Sequence, residues 1–291
     1  MLRLRTVSKI NLSLRILGLL PDGRHELATW FQAIDYGDVL DLEPASDLTL
    51  ECDDPNLGPQ EGNLAWKAAH LLRMASGTSR GVRIRLSTCV PYGAGLGGGS
   101  GDAAAVLVGC NLLWDLGWTP DRLEEIGRSL GADVPFLVRG GAAWATGAGD
   151  ILTPCPGLDP GVRILVATPS AGVPTTWAYR TWDEMHSPTL QDRPRMTNFP
   201  ALHCQGLFHA EELVGRLAND FEDVVYPRFP EVERLRREIA KAGAAAALLS
   251  GSGSSVFGLF PRGKAPALPS DWEERGVRWR WCLPAAGPVF V

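Results

Sequence analysis

Between Pro91 and Asp102 the chain reads Pro-Tyr-Gly-Ala-Gly-Leu-Gly-Gly-Gly-Ser-Gly-Asp, with six glycines in the nine residues 93–101. Each glycine in an ordered element costs about 0.5–1 kcal/mol relative to alanine. One or two would fit a turn that binds nothing; six imply a need for bare backbone. An alternating apolar segment at 82–90 precedes the run, and an alanine-rich helical segment at about 101–116 follows it. That helix begins near Ser100, so its unpaired N–H groups and positive dipole end face the loop. The pattern predicts a phosphate cradle.

Several cradles are excluded. A P-loop needs lysine after its last glycine, and Gly98 is followed by Gly99 and Ser100. Gly93, Gly95 and Gly98 fit G-x-G-x-x-G, but the next element reads as a second helix at 120–130, capped by Thr119 with Pro120 in its first turn. A Rossmann unit requires a strand there. No G-x-S-x-G elbow is present.

The formal net charge of −5 over 291 residues argues against a general nucleic-acid binder. The six cysteines are scattered with no C-x-x-C pair, which predicts reduced thiols. The N-terminus has no unbroken apolar core, and no run approaches the roughly 18 apolar residues of a spanning helix. The expectation is a cytoplasmic protein without nucleic-acid or membrane partners. Strands are expected at 6–17, 27–34, 39–42, 48–52, 82–90, 140–152, 162–167, 245–249, 255–260 and 277–283. Further helices are expected at 63–74, capped by Asn63, and at 211–217 and 231–242. The segment 186–208 reads as irregular connection. A stretch rich in proline and glycine at 154–161 places a boundary between domains 1–157 and 158–291. The class is α+β.

Three motifs in order resemble the GHMP kinases. These are Ser8-Lys9-Ile10-Asn11-Leu12, the glycine loop with its P-x-x-x-G-L-G-x-x-S pattern, and the turn 249–257 with its Ser-Gly-Ser-Gly-Ser core. Pro21-Asp-Gly-Arg-His25, Phe31-Gln32, Asp35-Tyr-Gly-Asp38, Gly131-Ala-Asp-Val-Pro135 and Asn219-Asp-Phe-Glu222 narrow the resemblance. They are similar to the branch acting on a cytidine-diphosphate-linked polyol of isoprenoid precursor synthesis. The alternative is another small-molecule member, of homoserine or mevalonate type. The resemblance implies a two-domain GHMP kinase fold, with a ribosomal protein S5 domain 2-like N-terminal domain and a ferredoxin-like C-terminal domain. It implies ATP and Mg2+ as cofactors, a small-molecule cytidine diphosphate substrate, and a monomer or weak homodimer.

The same resemblance implies the site. ATP would lie along Pro91, Tyr92, Gly93 and Ala94, then Gly95, Leu96, Gly97 and Gly98, and finally Gly99, Ser100 and Gly101, where the family often has serine. Asn63 would border the adenine, although its place as a helix cap explains it equally well. Asp133 would be the general base; read alone, it is a turn or capping residue between a helix and an apolar strand end. Lys9 would stand beside it and stabilise charge on the transferring phosphoryl group; read alone, it is a solvated strand lysine. Asn11, two residues on, shares its face and would contact substrate. His25 would meet the cytosine, with Phe31 and Tyr179 on the other side of the pocket or in core packing. Arg24 stands where the family usually has tyrosine. Thr175 would approach the erythritol end, and Ser250 and Gly251 would close over the reacting groups, unless the turn is only a hairpin. Asp102 is expected to compensate the helix dipole. The magnesium ligands stay open.

Overall fold

Strict alternation builds the first sheet. In the strand Gly81–Ser87, Val82, Ile84 and Leu86 are buried while Arg83 and Arg85 face solvent, so one face needs a cover. The computed structural model describes residues 1–186, 206–264 and 266–291, and the cover is helical. In chain order the first half holds strands β1 (Leu2–Arg5), β2 (Ser8–Leu19), β3 (His25–Ile34), β4 (Val39–Ala45), β5 (Leu48–Cys52) and β6 (Gly81–Ser87), then β7 (Ala142–Thr146) and β8 (Ile151–Pro154). Its helices are α1 (Leu64–Ser76), α2 (Gly98–Leu113), α3 (Pro120–Arg128) and α4 (Asp133–Arg139). The second half adds β9 (Arg163–Thr168), α5 (Thr175–His186), α6 (Glu222–Arg228), α7 (Pro230–Lys241), β10 (Ala246–Leu249), β11 (Val256–Phe260), β12 (Arg278–Cys282) and β13 (Val289–Phe290).

Among the described residues three sheets result, in the orders β13-β1-β4-β6-β5, β2-β3-β7-β8 and β10-β11-β9-β12. The last has all neighbours antiparallel. Its order, with helices between β9 and β10, is the split β-α-β arrangement of ferredoxin-like domains. Helices α1 and α2 lie on the first sheet. Alanines 103–105 are fully buried, and Gly109 permits close approach: a Cβ there would lie 2.4 Å from Leu42 Cδ1.

Local chemistry explains most boundaries. Asn63 Oδ1 accepts from Ala65 N at 2.9 Å, and Gly77 ends α1 in the left-handed region. Thr119 caps α3 as expected. Helix α2 begins three residues earlier than the sequence predicts, because Gly97 adopts φ 71 and caps it. The strand expected at 140–152 is a hairpin, β7–β8, turned by Gly147 and Gly149 at positive φ. The helix expected at 211–217 is one 3-10 turn, Ala210–Leu213; Gly215 at φ 69 follows it. The sequence reading missed α4, α5 and α6.

The expected boundary gives residues 284–291 to the second domain, but they return to the first. Strand β13 pairs with β1, Ala285 N donates to Ala33 O, and Ala286 bridges to Gly140. The expected connection at 186–208 falls mostly outside the described residues, as does Cys204. Among the described residues the cysteines are unpaired, and no helix is long and apolar enough to cross a membrane.

Candidate active site

The antiparallel register of β2 and β3 sets the site. Lys9 pairs with Ala33 and Asn11 with Phe31, so Lys9, Asn11 and Phe31 share one face of the hairpin, and Ile10 and Leu12 enter the core. Lys9 is buried, and its Nζ donates to Asn11 Oδ1 at 2.8 Å and to Gly95 O at 3.0 Å. It also lies 3.8 Å from Asp133 Oδ2. A buried cation must be paired; here the partners are a carboxylate, an amide and a carbonyl of the glycine loop. Lys9 is thus no solvated strand lysine. Asp133 is the first residue of α4 rather than a turn before a strand.

The loop reaches this pair because its glycines carry no side chains. A Cβ on Gly97 would come 3.3 Å from Asp133 Oδ2 and 3.4 Å from Lys9 Cγ. A Cβ on Gly95 would come 2.0 Å from Ser250 O. The loop and the turn 250–255 therefore meet main chain to main chain. Ser250 Oγ donates to Gly95 O at 3.0 Å, and Ser255 N donates to Ala94 O at 3.0 Å. Asn219 fixes the turn from below, its Nδ2 donating to Leu249 O and Gly251 O, each at 2.8 Å.

Two cavities meet at the loop's glycines. One, of about 290 Å³, is lined by Pro91–Gly95 and Gly97–Ser100 together with Asn63, Asp38 and Asp102. The first N–H groups of α2 open here. The other, of about 300 Å³, is lined by Lys9, Asn11, Phe31, Asp133, Thr175 and Tyr179, with Gly251 and Ser252. Gly95, Gly97 and Ser100 border both. The Lys9–Asp133 pair thus lies in the second cavity, against the glycines that separate it from the first.

Several expected residues sit differently. Gly101 donates its N–H to Gly97 O inside the helix, and a Cβ on it would lie 2.2 Å from Val7 O. It lets the helix pass close to the link between β1 and β2, and a serine side chain there would meet the Val7 carbonyl. The Leu96 side chain belongs to the core. Ser250 is fully buried and holds Gly95 rather than lining the second cavity. His25 and Tyr179 were expected on opposite sides of a base; their rings stack on each other with centroids 4.3 Å apart. His25 Nε2 lies 2.8 Å from Asp183 Oδ1. Burial pushes the Tyr179 hydroxyl up to about 12. Arg24 pairs with Asp22 at 2.8 Å and Asp150 at 3.6 Å.

Asp102 departs furthest from expectation. It lies in the second turn of α2, only 3% exposed, and its Oδ1 has no hydrogen-bond partner. Burial, then the charge of Asp38, pushes its carboxyl well above the ordinary carboxylate range. A dipole-compensating residue would lie in the first turn and near solvent; this one does neither. Thr29 was missed altogether. Its Oγ1 accepts from Asn11 Nδ2 at 2.7 Å and donates to Ser13 O at 2.7 Å, and its place two residues from Phe31 was the available signal.

The chain is similar to known kinases over most of its length. The GHMP kinases N terminal domain matches residues 63–141, and the GHMP kinases C terminal matches 204–278. The 4-diphosphocytidyl-2-C-methyl-D-erythritol kinase of Gloeobacter violaceus is 39% identical, covering 88% of this chain and 85% of its own. That of Symbiobacterium thermophilum is 42% identical, covering 87% and 89%. A crystal structure of a 4-(cytidine 5'-diphospho)-2C-methyl-D-erythritol kinase superposes with TM-score 0.73 at 32% identity over 97% of this chain and 100% of that one. Methanococcus jannaschii mevalonate kinase shares the fold, with TM-score 0.71 at 12% identity, covering 97% of this chain and 98% of its own. The chain belongs to the GHMP kinases and, within them, to the family of the 4-diphosphocytidyl-2-C-methyl-D-erythritol kinases.

Proposed function

We propose that the protein transfers the γ-phosphoryl group of ATP to the 2-hydroxyl of 4-diphosphocytidyl-2-C-methyl-D-erythritol, a step of non-mevalonate isoprenoid precursor synthesis. The observation that carries this reading is the Lys9–Asp133 pair beside the glycines shared by two cavities. Phosphoryl transfer asks the protein for positioning and charge stabilisation more than for covalent chemistry. In this reading ATP occupies the first cavity, its phosphates along the N–H groups of Gly98, Gly99 and Ser100 and its adenine toward Asn63. The second cavity takes the cytidine substrate, with the base against the Tyr179–His25 stack and the methylerythritol between Asn11, Thr175 and Asp133. Asp133 accepts the proton of the attacking hydroxyl. Lys9, held by Asn11 and Gly95, meets the negative charge of the arriving phosphoryl group. Transfer is direct, with no phosphoenzyme.

Magnesium accompanies ATP in this chemistry. Among the described residues no three His, Cys, Asp or Glu side chains cluster to hold an ion. This donor set does not fit a dedicated metal cage.

Steady-state kinetics of Asp133→Asn test the reading. Loss of the base should lower kcat by about 10²–10⁴-fold while the KM values for both substrates stay near wild type. Full turnover by that variant would sink the assignment of the base. Absence of ADP production by the wild type with this alcohol would sink the substrate.

A further inference from the structure

The glycine loop cannot hold its own shape. Its glycines lose more freedom on ordering than other residues; Lys9, Ser250 and Ser255 hold its middle, and its two ends need holding as well. Both ends meet at the same pair of acids. Where β6 leaves the sheet and the loop begins, Asp38 Oδ1 accepts from Cys89 N and from Val90 N, the latter at 2.8 Å. Where the loop ends, Asp102 projects from α2 into the wall that Asp38 also lines, close enough for Asp38 and Thr6 to act on its carboxyl. Thr6 is tied to Asp38 in turn: Thr6 N donates to Asp38 O at 2.9 Å, and Asp38 N donates to Thr6 Oγ1 at 2.8 Å. Both carboxyls are buried, and both line the first cavity.

Two ionised carboxylates in one buried site repel, and neither has a hydrogen to give. A single proton resolves both problems. Asp38 already accepts two backbone N–H groups, which favours its ionised form. Asp102 receives no backbone donor and has an oxygen without a partner, so the proton belongs on Asp102.

We propose that Asp102 is a positioning residue for the nucleotide: its carboxyl donates to the Asp38 carboxylate, and this acid–acid link holds the two ends of the glycine loop at the spacing a triphosphate requires. The inference rests on the reading that the loop binds ATP. The cytidine substrate gains nothing from the link, because it meets the loop only at the far wall of the second cavity.

Three variants test it, with KM for each substrate, kcat, and direct titration of ATP and of CDP. Asp102→Asn retains a donor toward Asp38 and should keep the KM for ATP within about threefold of wild type. Asp102→Leu cannot donate and should raise the KM and Kd for ATP at least about tenfold. Its kcat at saturating ATP and its affinity for CDP should change less than about threefold. Should Asp102→Leu fail to fold, Asp102→Ala carries the same expectation with less crowding. The link is overturned if the leucine or alanine variant binds ATP like wild type. It is overturned equally if Asp102→Asn is as impaired as they are, or if ATP and CDP affinities fall together. If the wild type binds CDP and not ATP, the functional reading fails instead, independently of the variants.

Discussion

At Asp102, burial and a neighbouring negative charge act in the same direction, and the sign of the consequence follows. A carboxyl whose folded pKa lies above its unfolded value of about 3.9 stabilises the fold fully below that value. The stabilisation is lost as pH rises through the folded pKa, by up to about 1.4 kcal/mol per pH unit for one proton. Asp38 and, more weakly, the Cys52 thiol interact with this carboxyl, and the raised Asp38 carboxyl contributes in the same sense. Asp102→Asn has no such proton to lose. Thermal unfolding at pH 5 and pH 8 should therefore show the variant gaining on the wild type as pH rises. A constant difference across that range would mean that Asp102 is ionised in the fold.

Within the elements, glycines at similar φ carry unequal burdens. Gly93 sits at φ 67 with open space where a Cβ would go, and Gly95 sits at φ 80 with Ser250 O only 2.0 Å from that position. Gly93→Ala should cost about 1–2 kcal/mol of left-handed strain and leave the contact between Lys9 and Gly95 O in place. Gly95→Ala must separate the loop from the turn at 250–255, so the Lys9 contact with Gly95 O is lost with it. Activity and thermal midpoint should both fall far more than for Gly93→Ala. The sequence made the loop legible because six glycines in nine residues have no cheaper explanation. It could not assign Gly101 to the Val7 contact, since a tertiary clash leaves no local mark. Lys9 and Asn11 were readable as same-face neighbours from a period of two. Asp102 was misread because a helix start displaced by three residues moved it from an exposed first turn into a buried second one. Helices α4 and α5 were missed for local reasons: one has only seven residues, and the other starts directly after Pro174.

Across the whole molecule, β2 joins two cores. Ile10 and Leu12 pack in one, and Leu14 and Ile16 pack with the helices of the second half. The joint is hydrogen-bonded: Leu14 N donates to Ala218 O at 2.8 Å, and Asp220 Oδ2 accepts from Ile16 N at 2.9 Å. Removing that acceptor leaves a buried donor unpaired, at about 1–3 kcal/mol. Asp220→Ala should therefore split one calorimetric transition into two or broaden it. A single sharp transition at the wild-type midpoint would show that the halves are coupled elsewhere. Deleting residues 284–291 should uncover the edge of β1 and promote self-association, measurable by light scattering.

The pairing of β13 with β1 also orders events during synthesis. Chains emerge at roughly 5–20 residues per second, and the strand that closes the first sheet, Val289–Phe290, is made long after its partner Leu2–Arg5. Until it arrives, the half that holds the glycine loop waits with one flank unsealed, so the newborn kinase completes that sheet only after the elements of the second half have been made.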